Sequence, residues 1–372
     1  MQMLQVYRTY FPDPPGGLQE AIRQISLATQ PYGIDSTVFT LSPHPEPAEL
    51  NRPEGTVVRS RSWLAPASCD LGGLGALKLF RALSRRADVL VFHFPWPFGD
   101  ILNAVGDRDR PSVLVYHSDI VRQRFLGAMY APLMWRSLRS MSAVIATSPA
   151  YARTSPILSH PAIRDKVRVM PLGIEEQSYP AIGDDSIFDR IHLDPNEPFF
   201  LFIGVLRYYK GLHVLLRAAK DIDAKVVIAG AGPERKRLDN HAVSLALHNV
   251  IFAGQVSDQE KVALLQHCRA VVLPSHLRSE AFGMVLVEAA MFSRPMISCE
   301  LGTGTSYVNV HRQTGLVVSP ENPVELAKAM ETLLRDEPCA KEWGLGARSR
   351  YEQLFSAPAL GRAYADLFAQ LI

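Results

Sequence analysis

Cysteine is scarce in this 372-residue chain: four residues, Cys69, Cys268, Cys299 and Cys339, far apart and without a CxxC pair. That spacing argues against a disulfide framework and a cysteine zinc site, and it fits a reducing compartment. Long apolar runs are missing as well. No stretch reaches the roughly 20 apolar residues of a membrane span. The opening MQMLQVYRTYFP has no apolar leader segment. Neither sign of charge dominates, with 39 basic residues against 37 acidic ones and a formal net charge of +2. Nothing global therefore calls for nucleic acid, and any basic site must be local. Four functional signatures are lacking too. No HExxH or DxD pattern stands in a metal-binding context, and the glycines after the first strand do not form GxGxxG. Ser118 and Asp119 are adjacent, a spacing that assigns no Ser-His-Asp triad. The expectation is a cytoplasmic protein.

What is present is an ordinary globular balance, 47% hydrophobic and 20% charged, on a length that suits two domains. Met3–Tyr7 reads as a first strand, Gly16-Gly17 as its turn, and Leu18–Ala28 as a helix with apolar residues at a helical period. Strands follow at 37–41, 57–59, 89–92, 113–116, 144–146 and 167–170, most of them separated by helical patterns. A polar, proline-broken stretch at 175–198 reads as a linker. The alternation then restarts with strands at 199–203, 225–229, 250–252 and 271–273. The reading is α/β, two doubly wound domains at 1–174 and 199–354, with a helix at 355–372 packing back toward the first. Such sheets bind ligands at the C-terminal ends of their strands, here facing one cleft.

The second domain centres on Ser275–Ser293. After a buried strand come two helix starters, Ser275 and Ser279, and from Gly283 a helical pattern. Glu280 falls in the loop and Glu288 two turns into the helix. The helix N-terminus offers N–H groups to a phosphate, and Gly283 leaves room for its oxygens. An acidic residue before a helix is equally compatible with a simple charge–dipole contact. Arg207 and Lys210, in GVLRYYKG after strand 199–203, suit a diphosphate; the alternative is a solvated loop. In the first domain His93 and His117 stand at strand ends, and Gly16-Gly17 serves either a tight turn or phosphate approach. His44, His160, His241, His248 and His311 read as structural.

Together these residues resemble the retaining glycosyltransferases of the GT-B fold, family 4. The E-x7-E motif matches Glu280 to Glu288, the glycine turn Gly16-Gly17, the cleft histidine His117, and the Gly-x-Gly-Pro-Glu turn Gly230 to Glu234. YHSDIVRQ (116–123), FHFPWPFGD (92–100), LRYYKG (206–211) and ELGTGTSYVN (300–309) look like bacterial O-antigen mannosyl- and rhamnosyltransferases that use GDP-sugars. The resemblance implies a GDP-mannose or GDP-D-rhamnose donor, a polyprenyl-diphosphate-linked acceptor, and front-face displacement with retention. It implies that Glu288 binds the ribose, Glu280 the transferred sugar, and Arg207 and Lys210 the diphosphate. Backbone around Gly16, Gly17, Gly204, Gly283, Met284 and Val285 would line the donor, with His117 near the reacting carbon. No metal and no cofactor beyond the donor are implied. One departure is Val205, where the family places arginine. A UDP-sugar donor, a nucleotide-sugar 2-epimerase and a non-catalytic binding partner stay open. Arg122, Arg124, Arg136 and Arg139, set among Phe125, Leu126, Met129 and Trp135, would suit an anionic membrane surface; a core-packed helix is the alternative.

Overall fold

The computed structural model describes residues 1–13, 16–65, 70–107, 109–119 and 124–372, with backbone alone for 124–128. The chain divides into two compact units, residues 1–175 with 357–372, and residues 176–356.

In the first unit the strands are β1 (Gln2–Val6), β2 (Asp35–Ser42), β3 (Glu49–Arg52), β4 (Gly55–Leu64), β5 (Leu71–Gly72), β6 (Val89–Phe94), β7 (Ser112–Tyr116), β8 (Ala143–Ala146) and β9 (Val167–Val169). Their order is β3-β4-β2-β1-β6-β7-β8-β9, with β5 beside β4. Pairing is parallel except where β3 and β5 meet β4. The central strands β6 and β7 are buried along their whole length, as expected of a parallel sheet covered on both faces.

The Ala357–Leu371 helix closes this unit. Leu360, Tyr364, Leu367 and Phe368 recur at helical spacing and enter one core with Met3, Ile25, Val91 and Val115. Each such apolar burial contributes about 1.5–3 kcal/mol. The helix runs so close to the Gly17–Thr29 helix that a Cβ on Gly361 would lie 1.9 Å from the Ala28 carbonyl oxygen.

In the second unit the strands are β10 (Phe199–Ile203), β11 (Lys225–Ala229), β12 (Val250–Gly254), β13 (Ala270–Leu273), β14 (Met296–Cys299) and β15 (Gly315–Val318). They form a fully parallel sheet in the order β12-β11-β10-β13-β14-β15. The stretch read as a linker carries the Ser186–Arg190 helix, which packs in the second unit. There Arg190 grips Glu260 at 2.7 Å. Cys268 and Cys299 are buried free thiols and Cys339 is half-buried and free. Cys69 lies outside the described residues.

Candidate functional site

In the second unit the E-x7-E stretch leaves β13 through a loop. The helix starts where the helical pattern does: it is Met284–Met291 and its N-cap is Gly283. Glu288 is thus little more than one turn in, not two. Gly283 adopts φ 84°, a left-handed conformation, and a Cβ there would meet Leu273 Cδ2 at 2.8 Å. Chain reversal and packing therefore require glycine at this position whether or not an oxygen approaches it. Met284 is half-buried and Val285 buried, and as the first helical residues they have no intrahelical partner for their N–H groups.

Each carboxylate of the motif holds a lysine. Glu280 is 7% exposed. It takes Lys210 Nζ at 2.5 Å and the Ser275 hydroxyl at 3.0 Å. Burial acts to lower the Lys210 pKa, but Glu280, Tyr209 and Glu288 outweigh it and raise the ammonium above its ordinary range. Lys210 is therefore a fixed cation influenced by both carboxylates. Glu288 accepts from Lys261 at 3.2 Å and from the Tyr179 hydroxyl at 2.5 Å. Burial likewise opposes the Lys261 charge, and Glu288 with Asp258 restores and raises it. Neither Lys261 nor Tyr179 stands in a motif. A lysine on the inward side of the Asp258–His267 helix was the only signal available.

Arg207 is not brought to this pair. It is exposed, its guanidinium has no hydrogen-bond or ion-pair partner among the described residues, and it lines a cavity of about 230 Å³ with His213, Arg217, Glu234, Arg237 and His241. Val205 and Arg207 are both exposed with Leu206 buried between them, so the two do share a face. Gly204 directly follows β10, and a Cβ there would meet nothing nearer than 3.6 Å. The 300–309 segment has a supporting role: Thr303 Oγ1 donates to the Glu280 carbonyl and the Gly304 N–H to the Ala281 carbonyl, fixing the loop before Gly283. His213, His276 and Glu321 bring three metal-capable atoms within 4.8 Å of one another, the one such group among the described residues.

In the first unit His93 and His117 meet. His93 Nδ1 lies 3.0 Å from His117 Nε2, and His93 Nε2 lies 2.9 Å from Gln5 Oε1. Gln5 was not foreseen; a lone polar residue inside an apolar first strand is the signal that marks it. Gly16 caps the Gly17–Thr29 helix in extended conformation, and a Cβ on Gly17 would meet nothing within 4 Å, leaving that helix end open. In the Arg124–Ser140 helix Met134 and Leu138 are buried and Met129 is 70% exposed. Arg122 and the side chains of Arg124, Phe125 and Leu126 lie outside the described residues.

Comparison with known proteins then decides the family. Residues 15–178 match the model described as Glycosyltransferase Family 4, and 184–350 that described as Glycosyl transferases group 1. D-rhamnosyltransferase WbpZ of Pseudomonas aeruginosa is 46% identical over 96% of this chain and 93% of its own. The chain belongs to glycosyltransferase family 4. O-antigen chain mannosyltransferase C of Escherichia coli is 40% identical over 100% of this glycosyltransferase and 99% of its own length. Among solved structures, sucrose-phosphate synthase of Thermosynechococcus elongatus matches with TM-score 0.81 at 20% identity, covering 100% of this chain and 98% of that one. Anabaena HepE in complex with UDP matches with TM-score 0.80 at 19% identity, full length on both sides. These two establish the GT-B fold of the enzyme, and the fold alone.

The buried histidines give this glycosyltransferase an acid-sensitive first unit. Burial lowers the His117 pKa from its ordinary 6.5 to about 3, and burial with neighbouring His117 drives His93 well down. Between 6.5 and about 3 the unfolded chain therefore binds more protons than the folded one, and stability falls as pH falls through that window. The slope is up to about 1.4 kcal/mol per pH unit for each histidine. Asp100, raised by burial from 3.8 to about 6, acts in the opposite sense between those values. His117→Asn should flatten the acid limb of a urea-denaturation series followed from neutral pH downward. An unchanged limb would show that His117 takes up its proton without unfolding.

Proposed function

We propose that the enzyme moves a mannose or D-rhamnose residue, with retention, from a GDP-sugar to a growing, lipid-linked surface polysaccharide at an anionic membrane surface. The observation that carries this reading is full-length similarity to both a D-rhamnosyltransferase and an O-antigen mannosyltransferase. The site is in keeping with it. Glu288 suits a ribose and Glu280 the transferred sugar, while Lys210 stands ready for a leaving diphosphate. Fixed cations and helix N–H groups then stabilise the leaving charge, so the step has no need of a metal. Retention follows if the leaving oxygen takes the acceptor proton on the same face, with no protein nucleophile.

A thermal-shift screen of GDP- and UDP-sugars tests the donor, followed by transfer to a polyprenyl-diphosphate saccharide with and without EDTA and flotation on vesicles containing anionic lipid. GDP-mannose or GDP-D-rhamnose should raise the midpoint, transfer should survive EDTA, and the protein should float only with anionic lipid. Stabilisation by UDP-sugars alone would overturn the donor. Loss in EDTA that is reversed by metal would overturn metal independence, and the same loss in His213→Ala would place that metal at His213, His276 and Glu321.

A further inference from the structure

The hydrogen bonds behind His117 determine which of its nitrogens carries the proton. Gln5, fully buried in β1, sends its side-chain N–H₂ to the Ile22 carbonyl at 3.1 Å and to the Ser26 and Ser36 hydroxyls at 2.6 and 3.3 Å. A carbonyl can only accept, so the amide orientation is set and Oε1 must face His93. Oε1 also can only accept, so His93 Nε2 carries a proton. His93 is neutral in its buried setting, which leaves Nδ1 as a lone pair. The His117 Nε2 that lies 3.0 Å away must therefore donate to it. Being neutral as well, His117 has a bare Nδ1. No hydrogen-bond partner holds that nitrogen among the described residues.

We infer that Gln5 and His93 are positioning residues that lock His117 as the Nε2–H tautomer, so that it presents Nδ1 as an acceptor for a hydroxyl of the donor sugar. A lone pair attracts a hydroxyl proton and repels an anionic oxygen, so His117 reads the sugar and not the diphosphate. This rests on the reading that His117 touches the donor sugar. The tautomer is measured on donor-free protein, so the two can fail separately.

The test is two-bond ¹H–¹⁵N correlation on the full chain labelled with ¹⁵N-histidine, with His117→Asn and His93→Asn spectra as assignments. His117 should appear as a single neutral Nε2–H tautomer at neutral pH. Finding it charged, or protonated at Nδ1, would overturn the inference without any further variant. His93→Leu removes the acceptor. It should release His117 into a mixture of tautomers and lower kcat for GDP-mannose turnover by about tenfold or more, with KM little changed. His93→Asn keeps an oxygen near the Nδ1 position and should restore both the single tautomer and most of the turnover. A His93→Leu protein with wild-type kcat and an unaltered His117 spectrum would also overturn it. If His93→Leu does not fold, the wild-type spectrum alone decides.

Discussion

Lys210→Ala should lower transfer by about two to three orders of magnitude, the scale of losing one preorganised charge-stabilising donor. The Lys210 side chain is only 13% exposed, paired to buried Glu280 and kept charged by that partner. It reaches the reaction largely desolvated and already paired, so its charge acts in a site where water screens less than in bulk. The same substitution strands the Glu280 carboxylate, a loss of about 3–5 kcal/mol of stability for a buried pair broken on one side. Lys210→Met with Glu280→Gln together separates the effects, because the doubly neutral site recovers stability and not turnover. Arg207→Ala should cost less than Lys210→Ala, at about a hundredfold. Arg207 is exposed and must be ordered on donor binding before it can help. Steady-state rates on saturating donor check the series. Wild-type turnover in Lys210→Ala would remove the diphosphate assignment, and Arg207→Ala within a few-fold of wild type would remove Arg207 from it.

Glu288→Ala should weaken donor binding by about 1.5–3 kcal/mol, or roughly ten- to a hundredfold in Kd, since on the proposed reading a ribose hydroxyl would lose a charge-assisted acceptor. Glu280→Ala should act on turnover more than on binding. The pairing in the structure sharpens the contrast. Glu288 is held in place by Lys261 and Tyr179, so Lys261→Met should mimic part of the Glu288→Ala binding loss while leaving the carboxylate in place. Calorimetric titration with GDP reads binding, and single-turnover transfer reads chemistry. Normal values for both glutamate variants would show that the motif is structural.

The alternation of buried strands with amphipathic helices was legible because each strand is a short apolar run bounded by turn residues, and β10 to β13 fall close to where the sequence places them. Two strands of the second sheet were not read. Met296–Cys299 and Gly315–Val318 are four residues each, too short for a pattern of their own. The edge strand Glu49–Arg52 is polar and antiparallel and has no apolar period to betray it. The helix start was legible at Gly283, where the apolar period begins, although its left-handed glycine cap makes no side-chain hydrogen bond and Ser275 turns its hydroxyl to Glu280 instead. Site residues inside motifs were visible, and those that owe their place to tertiary packing were not. Lys261, Tyr179 and Gln5 are ordinary residues until the fold carries them to a carboxylate or an imidazole.

The last helix has a consequence for the order in which the protein is made. Its residues Leu360, Tyr364, Leu367 and Phe368 belong to the core that holds Met3, Val91 and Val115, and the whole of 176–356 is synthesised between those two parts. At a ribosome the first sheet must wait, with an apolar surface uncovered, while the second unit emerges and can fold on contacts of its own. The unit that begins the chain is therefore the one that finishes second. A nascent chain stalled before residue 357 has one unit whose residues are all present and one whose core still lacks a side, and that uncovered face is where a chaperone would find its purchase.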